Sequence, residues 1–188
     1  MFKIRTRIDD EELKNISLSV FNEEWGNVEG FIEVTIGEAT MGYYHEGSLH
    51  PNVPGCEWIT WWLSLFLDCA DMITKTSYVA FSKPEEGSWL EFVLRDDVVI
   101  FNNALEPEQN YLRGITQYKK NYHLSYWGPR DMEVGLNDFL KEIYRATESF
   151  LDELKSINPQ LIESEVVKGI LELYEKRHQH CKKAFLKI

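Results

Sequence analysis

The segment from about Cys56 to Thr74 constrains the fold most, because it predicts a helix that is apolar on nearly all sides. Its apolar positions are Trp58, Ile59, Trp61, Trp62, Leu63, Leu65, Phe66 and Leu67. A single polar stripe runs along it, formed by Glu57, Thr60, Ser64, Asp68 and Asp71. A helix with so wide an apolar surface is normally a central, buried one. We therefore expect a sheet to pack against it, with the polar stripe at the surface or in a groove.

Alternating apolar and polar residues predict strands on both sides of this helix. Before the helix, the pattern predicts strands near residues 2–8, 16–20, 32–36 and 41–45. After it, strands are predicted near residues 78–81, 90–95, 98–101 and 122–126, and Asp96-Asp97 predicts a hairpin between two of them. Strands that alternate in this way are typical of an antiparallel sheet with one solvated face.

The last third of the chain has helical spacing. Apolar residues recur every three or four positions from Leu136 to Leu154, which predicts a helix that ends near Ile157. Asn158-Pro159 then resembles a helix start, with a capping side chain before a proline. For the 188 residues we predict one α+β domain over 1–188, strand-rich over 1–130 and helical over 131–188. An antiparallel sheet would pack on the central Trp-rich helix, with two C-terminal helices.

Negative charge is concentrated between Asp9 and Thr74. This stretch has thirteen carboxylates against one basic side chain, Lys14, which gives a local charge of −12, whereas the whole chain carries −11. Surfaces selected only for solubility usually interleave both signs. Clustered acid attracts oppositely charged partners, so the sequence predicts an acidic side that binds a basic protein. We expect the contact residues to be Glu23, Glu24, Glu29, Glu33, Glu38 and Glu46, supported by Tyr43 and Tyr44.

Composition argues against several other partners. A net charge of −11 disfavours direct nucleic-acid binding, which needs a basic face. The longest apolar stretch, 59–67, is far shorter than a membrane span, and the first residues lack the apolar core of a signal peptide. Three widely spaced cysteines do not form a disulfide framework. We expect a cytoplasmic protein without a bound cofactor.

Catalytic and metal-binding patterns are weak in this chain. Glycine-rich phosphate loops and nucleophile motifs are absent from the sequence, which favours a non-catalytic function. One alternative is a small hydrolase whose cleft would gather His45, Glu46, His50 and Asp68. Another is a structural module that forms a homodimer through the C-terminal helices. His178, His180 and Cys181 are close in sequence, but zinc needs four ligands and we predict no metal site.

Some features of the chain resemble the immunity proteins of bacterial toxin systems, including those of contact-dependent inhibition and other polymorphic toxins. The resemblance rests on the acidity of 9–74, on Gly42-Tyr43-Tyr44 leading through a loop to Trp61-Trp62, and on Ser88-Trp89-Leu90-Glu91-Phe92. It implies a small cytosolic protein that binds a basic toxin, such as a nuclease, and it transfers no individual binding residue. Electrostatic complementarity would then speed the association.

Overall fold

The computed structural model describes residues 1–47, 54–82, 88–105, 116–120 and 124–185, with side chains as far as Glu175. It confirms the α+β class, because antiparallel strands combine with helices. The strands form two sheets rather than one. The chain divides into two compact units, which we call the four-stranded unit and the six-stranded unit. The four-stranded unit comprises Lys3–Val34, Thr40–Leu67 and Glu142–Ile188, and the six-stranded unit comprises Met1–Phe2, Thr35–Ala39 and Asp68–Lys141.

The first sheet, which gives the four-stranded unit its name, contains the opening strand and the acidic strand that follows it. Its strands are β1 (Phe2–Ile8), β2 (Glu29–Ile36), β3 (Ala39–Gly42) and β4 (Glu57–Trp58). The order is β1-β2-β3, and β4 pairs antiparallel with β2. Gly30 allows close packing here, since a Cβ at this position would lie 2.2 Å from the Arg7 carbonyl oxygen. The sheet therefore places β1 directly beside the acidic strand β2.

The free edge of β1 is sealed by side chains of helix α3 (Leu136–Ile157). Glu142 accepts a hydrogen bond from the Ile4 amide at 2.8 Å, and Arg145 donates one to the Ile4 carbonyl at 2.6 Å. Further along, Glu153 accepts from the Ile8 amide at 3.1 Å. Unpaired strand edges invite pairing with other chains, so these three side chains protect the edge.

The strand predicted at residues 16–20 is wrong. The segment is helical, with α1 (Leu18–Val20) followed by a wider turn at Phe21–Trp25. Ser17 caps it by accepting a hydrogen bond from the Val20 amide, and Gly26 ends it with a φ of +67°. A local cap of this kind favours helix over an alternating pattern of only five residues.

Helix α2 (Ile59–Thr76) is the predicted Trp-rich helix, and its first turn differs from the expectation. Thr60, expected on the polar stripe at the surface, is fully buried, and its hydroxyl donates to the Asn27 side chain and accepts from the Val28 amide. Trp58 belongs to β4 rather than to the helix and is 49% exposed. Trp62 is buried as expected and stacks on Phe66.

The last helix is α4 (Glu165–Phe185), and a 3-10 turn at Pro159–Glu163 precedes it. The end of α3 at Ile157 and the cap at Asn158 are confirmed, although the cap begins the 3-10 turn. Asn158 also donates to the carbonyl groups of Leu13 and Ile16, at 2.9 and 3.0 Å. This buried side chain fixes the start of the C-terminal segment.

The second sheet lies in the six-stranded unit. Its strands are β5 (Tyr78–Ser82), β6 (Ser88–Arg95), β7 (Val98–Leu105), β8 (Thr116–Gln117), β9 (Ser125–Tyr126) and β10 (Met132–Gly135). The order is β10-β7-β6-β5-β8, with β9 also paired to β7. The hairpin predicted at Asp96-Asp97 is confirmed, since Arg95 pairs with Val98 and Asp96 has a φ of +54°.

One face of this sheet carries the aromatic core of the six-stranded unit. Phe92 lies at its centre, with ring centroids 5.7 Å from Phe81, 5.5 Å from Phe101 and 5.4 Å from Phe139. Phe2 contacts Phe139 in turn, at 4.8 Å. We call the opposite face of this sheet, which holds Glu91 and Asn102, its outer face.

Candidate functional site

We call the face of the first sheet that carries Glu29 and Glu33 of β2 its outer face. It holds most of the residues that the acidity singled out, and it also holds arginines. Arg5 and Arg7 lie two residues apart on β1, so both point to the same face. Arg5 forms ion pairs with Glu33 at 3.0 Å and with Glu46 at 3.3 Å. Its guanidinium also lies over the Tyr44 ring, 4.0 Å from the centroid. Glu33, Tyr44 and Glu46 are therefore gathered around one cation.

The chain after β3 folds back over this face. Arg7 donates to the carbonyl oxygens of His45 and Gly47, at 2.5 and 2.7 Å. Phe31 of β2 is buried beneath the segment, with ring centroids 6.1 Å from Tyr43 and 5.7 Å from His45. We call residues 43–47 the cover segment. It explains why Phe31 can occupy a strand position between two acidic residues that face outward.

Beyond the cover segment, a corner of the same face combines aromatic and acidic side chains. Trp58 pairs with Glu29 across the strands, and its indole N–H donates to the Glu29 carboxylate at 3.2 Å. Burial raises the pKa of the nearby Cys56 thiol, and the negative charges of Glu29 and Asp9 raise it further. Tyr43, like Trp58, is 49% exposed. We call the surface formed by Glu29, Tyr43, Glu46 and Trp58 the acidic–aromatic face.

Three other predicted contact residues lie elsewhere. Glu23 and Glu24 are exposed on the turn at Phe21–Trp25, where the Ser19 hydroxyl donates to Glu23 at 2.8 Å. Glu38 is exposed in the turn between β2 and β3 and belongs to the six-stranded unit. The first sheet thus gathers Glu29, Glu33, Tyr43, Tyr44 and Glu46, whereas Glu23, Glu24 and Glu38 occupy separate turns.

The residues of the alternative hydrolase cleft have different settings. His45 and Glu46 are in the cover segment, and Glu46 is paired with Arg5. Asp68 is on α2 in the six-stranded unit, where it accepts a hydrogen bond from the Tyr118 hydroxyl. His50 lies outside the described residues, so convergence of the four stays a prediction.

The side chains of His178, His180 and Cys181, the residues of the sequence that most resemble zinc ligands, lie outside the described part of the chain. Within the part that is described, no three His, Cys, Asp or Glu side chains come together as a metal site. In the same part of the chain, no helix has the length and apolar content that crossing a membrane requires.

Sequence reasoning missed the role of Arg5 and Arg7, because the acidic stretch was counted from Asp9 onward. A signal was present: Lys3, Arg5 and Arg7 alternate along a predicted strand, so their cations share one face. The neighbouring strand was the acidic one, and opposite charges on adjacent strands stabilise their pairing. Trp58 was missed as well, because it was assigned to the helix.

Known proteins offer no guide to this surface: no protein-family model, no curated protein and no solved structure matches the chain. Its function is therefore inferred from the chemistry of its own residues.

Proposed function

We propose that this protein binds a basic protein through the acidic–aromatic face, without catalysis, as an immunity protein does when it neutralises a basic toxin. The observation that carries the proposal is the exposure of two large aromatic side chains beside carboxylates on one sheet face. Trp58 and Tyr43 are each 49% exposed, and Trp58 contacts Glu29 directly. Tryptophan and tyrosine are the residues most enriched among those that dominate binding energy at protein interfaces.

The spacing of these side chains suits one compact contact. Glu29 and Phe31 are two residues apart on β2 and face the same way, about 7 Å apart along the strand. Trp58 contacts the first of them and Tyr43 contacts the second. The two exposed rings therefore present an apolar centre with acid beside it, which is the usual arrangement of an interface core and its polar rim.

The electrostatics favour a cationic partner, although part of the acid is already neutralised. Glu33 and Glu46 are paired with Arg5, so they contribute less than the sequence predicted. Glu29 accepts a hydrogen bond from the neutral indole N–H of Trp58, and Asp9 is close enough to act on the same Cys56 thiol. Complementary charge of this kind chiefly raises the association rate and makes it depend on salt.

The test uses the immobilised protein to capture partners from its native lysate at low salt. Bound protein is eluted with a salt gradient and identified by mass spectrometry. Three proteins are compared: the wild type, the double variant Tyr43→Ala with Trp58→Ala, and the control Trp127→Ala. The control removes a tryptophan of the six-stranded unit that is 65% exposed. We expect one basic protein to be held by the wild type and the control and to bind the double variant about tenfold or more weakly.

A second variant addresses charge alone. Glu29→Lys should slow association with that partner and flatten its salt dependence, whereas Glu172→Lys, on the exposed surface of α4, should change neither. The proposal fails if the captured partner is acidic, or if it binds the double variant and Glu29→Lys as tightly as it binds the wild type.

A further inference from the structure

The outer face of the second sheet contains a small polar pocket with a volume of about 240 Å³. Glu91 of β6 and Asn102 of β7 are paired across the strands and line it, and Val93 and Ile100 form the next pair on the same face of the sheet. Arg95, Lys120, Tyr126, Arg130 and Asp131 complete the lining. Pockets for drug-sized ligands are roughly 300–1,000 Å³, so this one suits a smaller molecule. The described residues that line it all belong to the six-stranded unit.

Glu91 is the unusual member of this pocket, because it is a charged residue with 0% exposure in the middle of a sheet. Its carboxylate accepts hydrogen bonds from the Asn102 amide at 2.8 Å and from the Tyr126 hydroxyl at 3.3 Å. Neither donor carries a charge. Among the described residues, no cation forms an ion pair with Glu91. A buried carboxylate is costly unless a counter-charge or a full set of hydrogen bonds compensates for it.

The groups around Glu91 are themselves held in place. The Asn102 side-chain oxygen accepts from the Asp131 amide at 2.8 Å, which fixes the amide so that its nitrogen points at Glu91. Burial raises the pKa of the Tyr126 phenol, and the Glu91 charge raises it further, so the hydroxyl stays protonated and donates. A carboxylate has about four acceptor sites, so these two donors do not satisfy Glu91 fully.

The described lining of the pocket also holds three cations, Arg95, Lys120 and Arg130, and the Arg130 guanidinium lies 3.9 Å from the Asp131 carboxylate. Arg95 lies on the same face of β6 as Glu91, about 13 Å further along the strand, and it is exposed. Lys120 is exposed as well and also lines the pocket. Neither Arg95 nor Lys120 forms an ion pair with another described residue. Between Glu91 and Arg95, Val93 and Ile100 give an apolar floor.

We propose that this pocket binds a small zwitterionic molecule, with its cationic nitrogen in the part of the pocket nearest the buried Glu91, its apolar middle over Val93 and Ile100, and its anionic group near Arg95 and Lys120. The ammonium would supply the counter-charge that no described residue gives Glu91. The anionic group would meet cations that remain accessible to solvent. This site is separate from the acidic–aromatic face and does not depend on the proposed function.

The test titrates the isotope-labelled full chain with three ω-amino acids, 4-aminobutyrate, 6-aminohexanoate and 8-aminooctanoate, and follows the backbone amides by NMR. Hexylamine and hexanoate serve as controls, since each keeps the chain of 6-aminohexanoate and loses one charge. We expect saturable shifts on β6 and β7 with at least one ω-amino acid, and binding about tenfold or more weaker for each control.

Variants of the lining residues test which part of the pocket binds the ammonium group and which part binds the carboxylate. Glu91→Gln keeps the shape and should remove the preference for 6-aminohexanoate over hexanoate, whereas Arg95→Gln and Lys120→Gln should each reduce the preference over hexylamine. Glu133→Gln on β10 and Lys119→Gln, both exposed and outside the lining, should leave all affinities unchanged. If Glu91→Gln does not fold, the binding measurements on Arg95→Gln and Lys120→Gln, both at exposed positions, test the proposal. The proposal is overturned if no ω-amino acid binds saturably, or if these pocket variants bind as the wild type does.

Discussion

Acidic side chains on the outer faces of the two sheets differ in their burial and in the charge of their partners. On the first sheet, Glu33 is partly buried and Glu46 of the cover segment is exposed, and both are paired with Arg5 of β1. On the second, Glu91 is fully buried, and its hydrogen-bond donors among the described residues are the neutral side chains of Asn102 and Tyr126. Three of the four strands of the first sheet lie in the segment that looks most acidic, and Arg5 of the remaining strand β1 compensates two of the acidic residues. Local charge along a chain is therefore a poor guide to where electrostatic free energy is concentrated in the fold.

The strongest test of this comparison removes the amide that supports Glu91. Asn102→Ala deletes the hydrogen bond to a buried carboxylate, and we expect it to lower the free energy of unfolding by about 2–3 kcal/mol. Urea unfolding measures the change. Asn137→Ala, at an exposed position at the start of α3, is the control and should cost less than about 1 kcal/mol. Equal effects at the two positions would mean that Glu91 does not depend on Asn102.

The matching test on the first sheet removes Arg7. Arg7→Met keeps the apolar stem and deletes both hydrogen bonds to the cover segment, so we expect a loss of about 1 kcal/mol. Hydrogen exchange at residues 43–47 should become faster in the variant. Lys3→Met, at an exposed position on the same strand, serves as the control. Unchanged exchange would contradict the role of Arg7 in holding the segment.

A smaller effect is expected at Glu153, which protects the edge of β1. Burial raises its pKa above the unfolded value, opposed by the Ile8 amide and Arg7. The folded state therefore binds the proton more tightly, and the charged form lowers stability once the pH exceeds the folded pKa. Glu153→Gln should therefore be more stable than the wild type at pH 7. The gain should be less than about 1 kcal/mol, because solvent screens this half-buried group.

The pH dependence gives the sign of that effect. The advantage of Glu153→Gln should shrink as the pH falls toward 4.5, the ordinary value for the group, because the wild-type carboxyl then protonates. Thermal unfolding from pH 4 to pH 8 measures it, with Glu148→Gln, exposed on α3, as the control. An advantage that grows at low pH would show that Glu153 is stabilised as a carboxylate.

The smallest predicted effect concerns the reactivity of Cys56, which lies near Glu29 of the acidic–aromatic face. Because Glu29 raises the pKa of this thiol, Glu29→Gln should lower it and speed thiol modification at pH 7, by less than about tenfold. The experiment uses a Cys181→Ser background, in which Cys69 is buried and should not react in the folded protein. Glu24→Gln is the control. An equal modification rate in both variants would show that Glu29 does not act on the Cys56 thiol.

Much of the fold was predictable because it depends on local patterns. The hairpin at Asp96-Asp97 and the end of α3 at Ile157 follow from alternation and helical spacing, which act within a few residues. The pattern failed at 16–20, where Ser17 and Gly26 outweigh it. It also could not show that the antiparallel strands divide between two sheets, since strand partners are chosen by contacts far apart in sequence.

By itself, the sequence determined the α+β class, the buried Trp-rich helix and the excess of acid before residue 75. Only the tertiary structure decided which of those acids meet an arginine, which aromatic rings remain exposed, and that Glu91 is buried beneath a pocket. The reason is physical. Composition and periodicity act along the chain, whereas burial and Coulomb interactions depend on distances of a few ångströms between residues that the sequence keeps far apart.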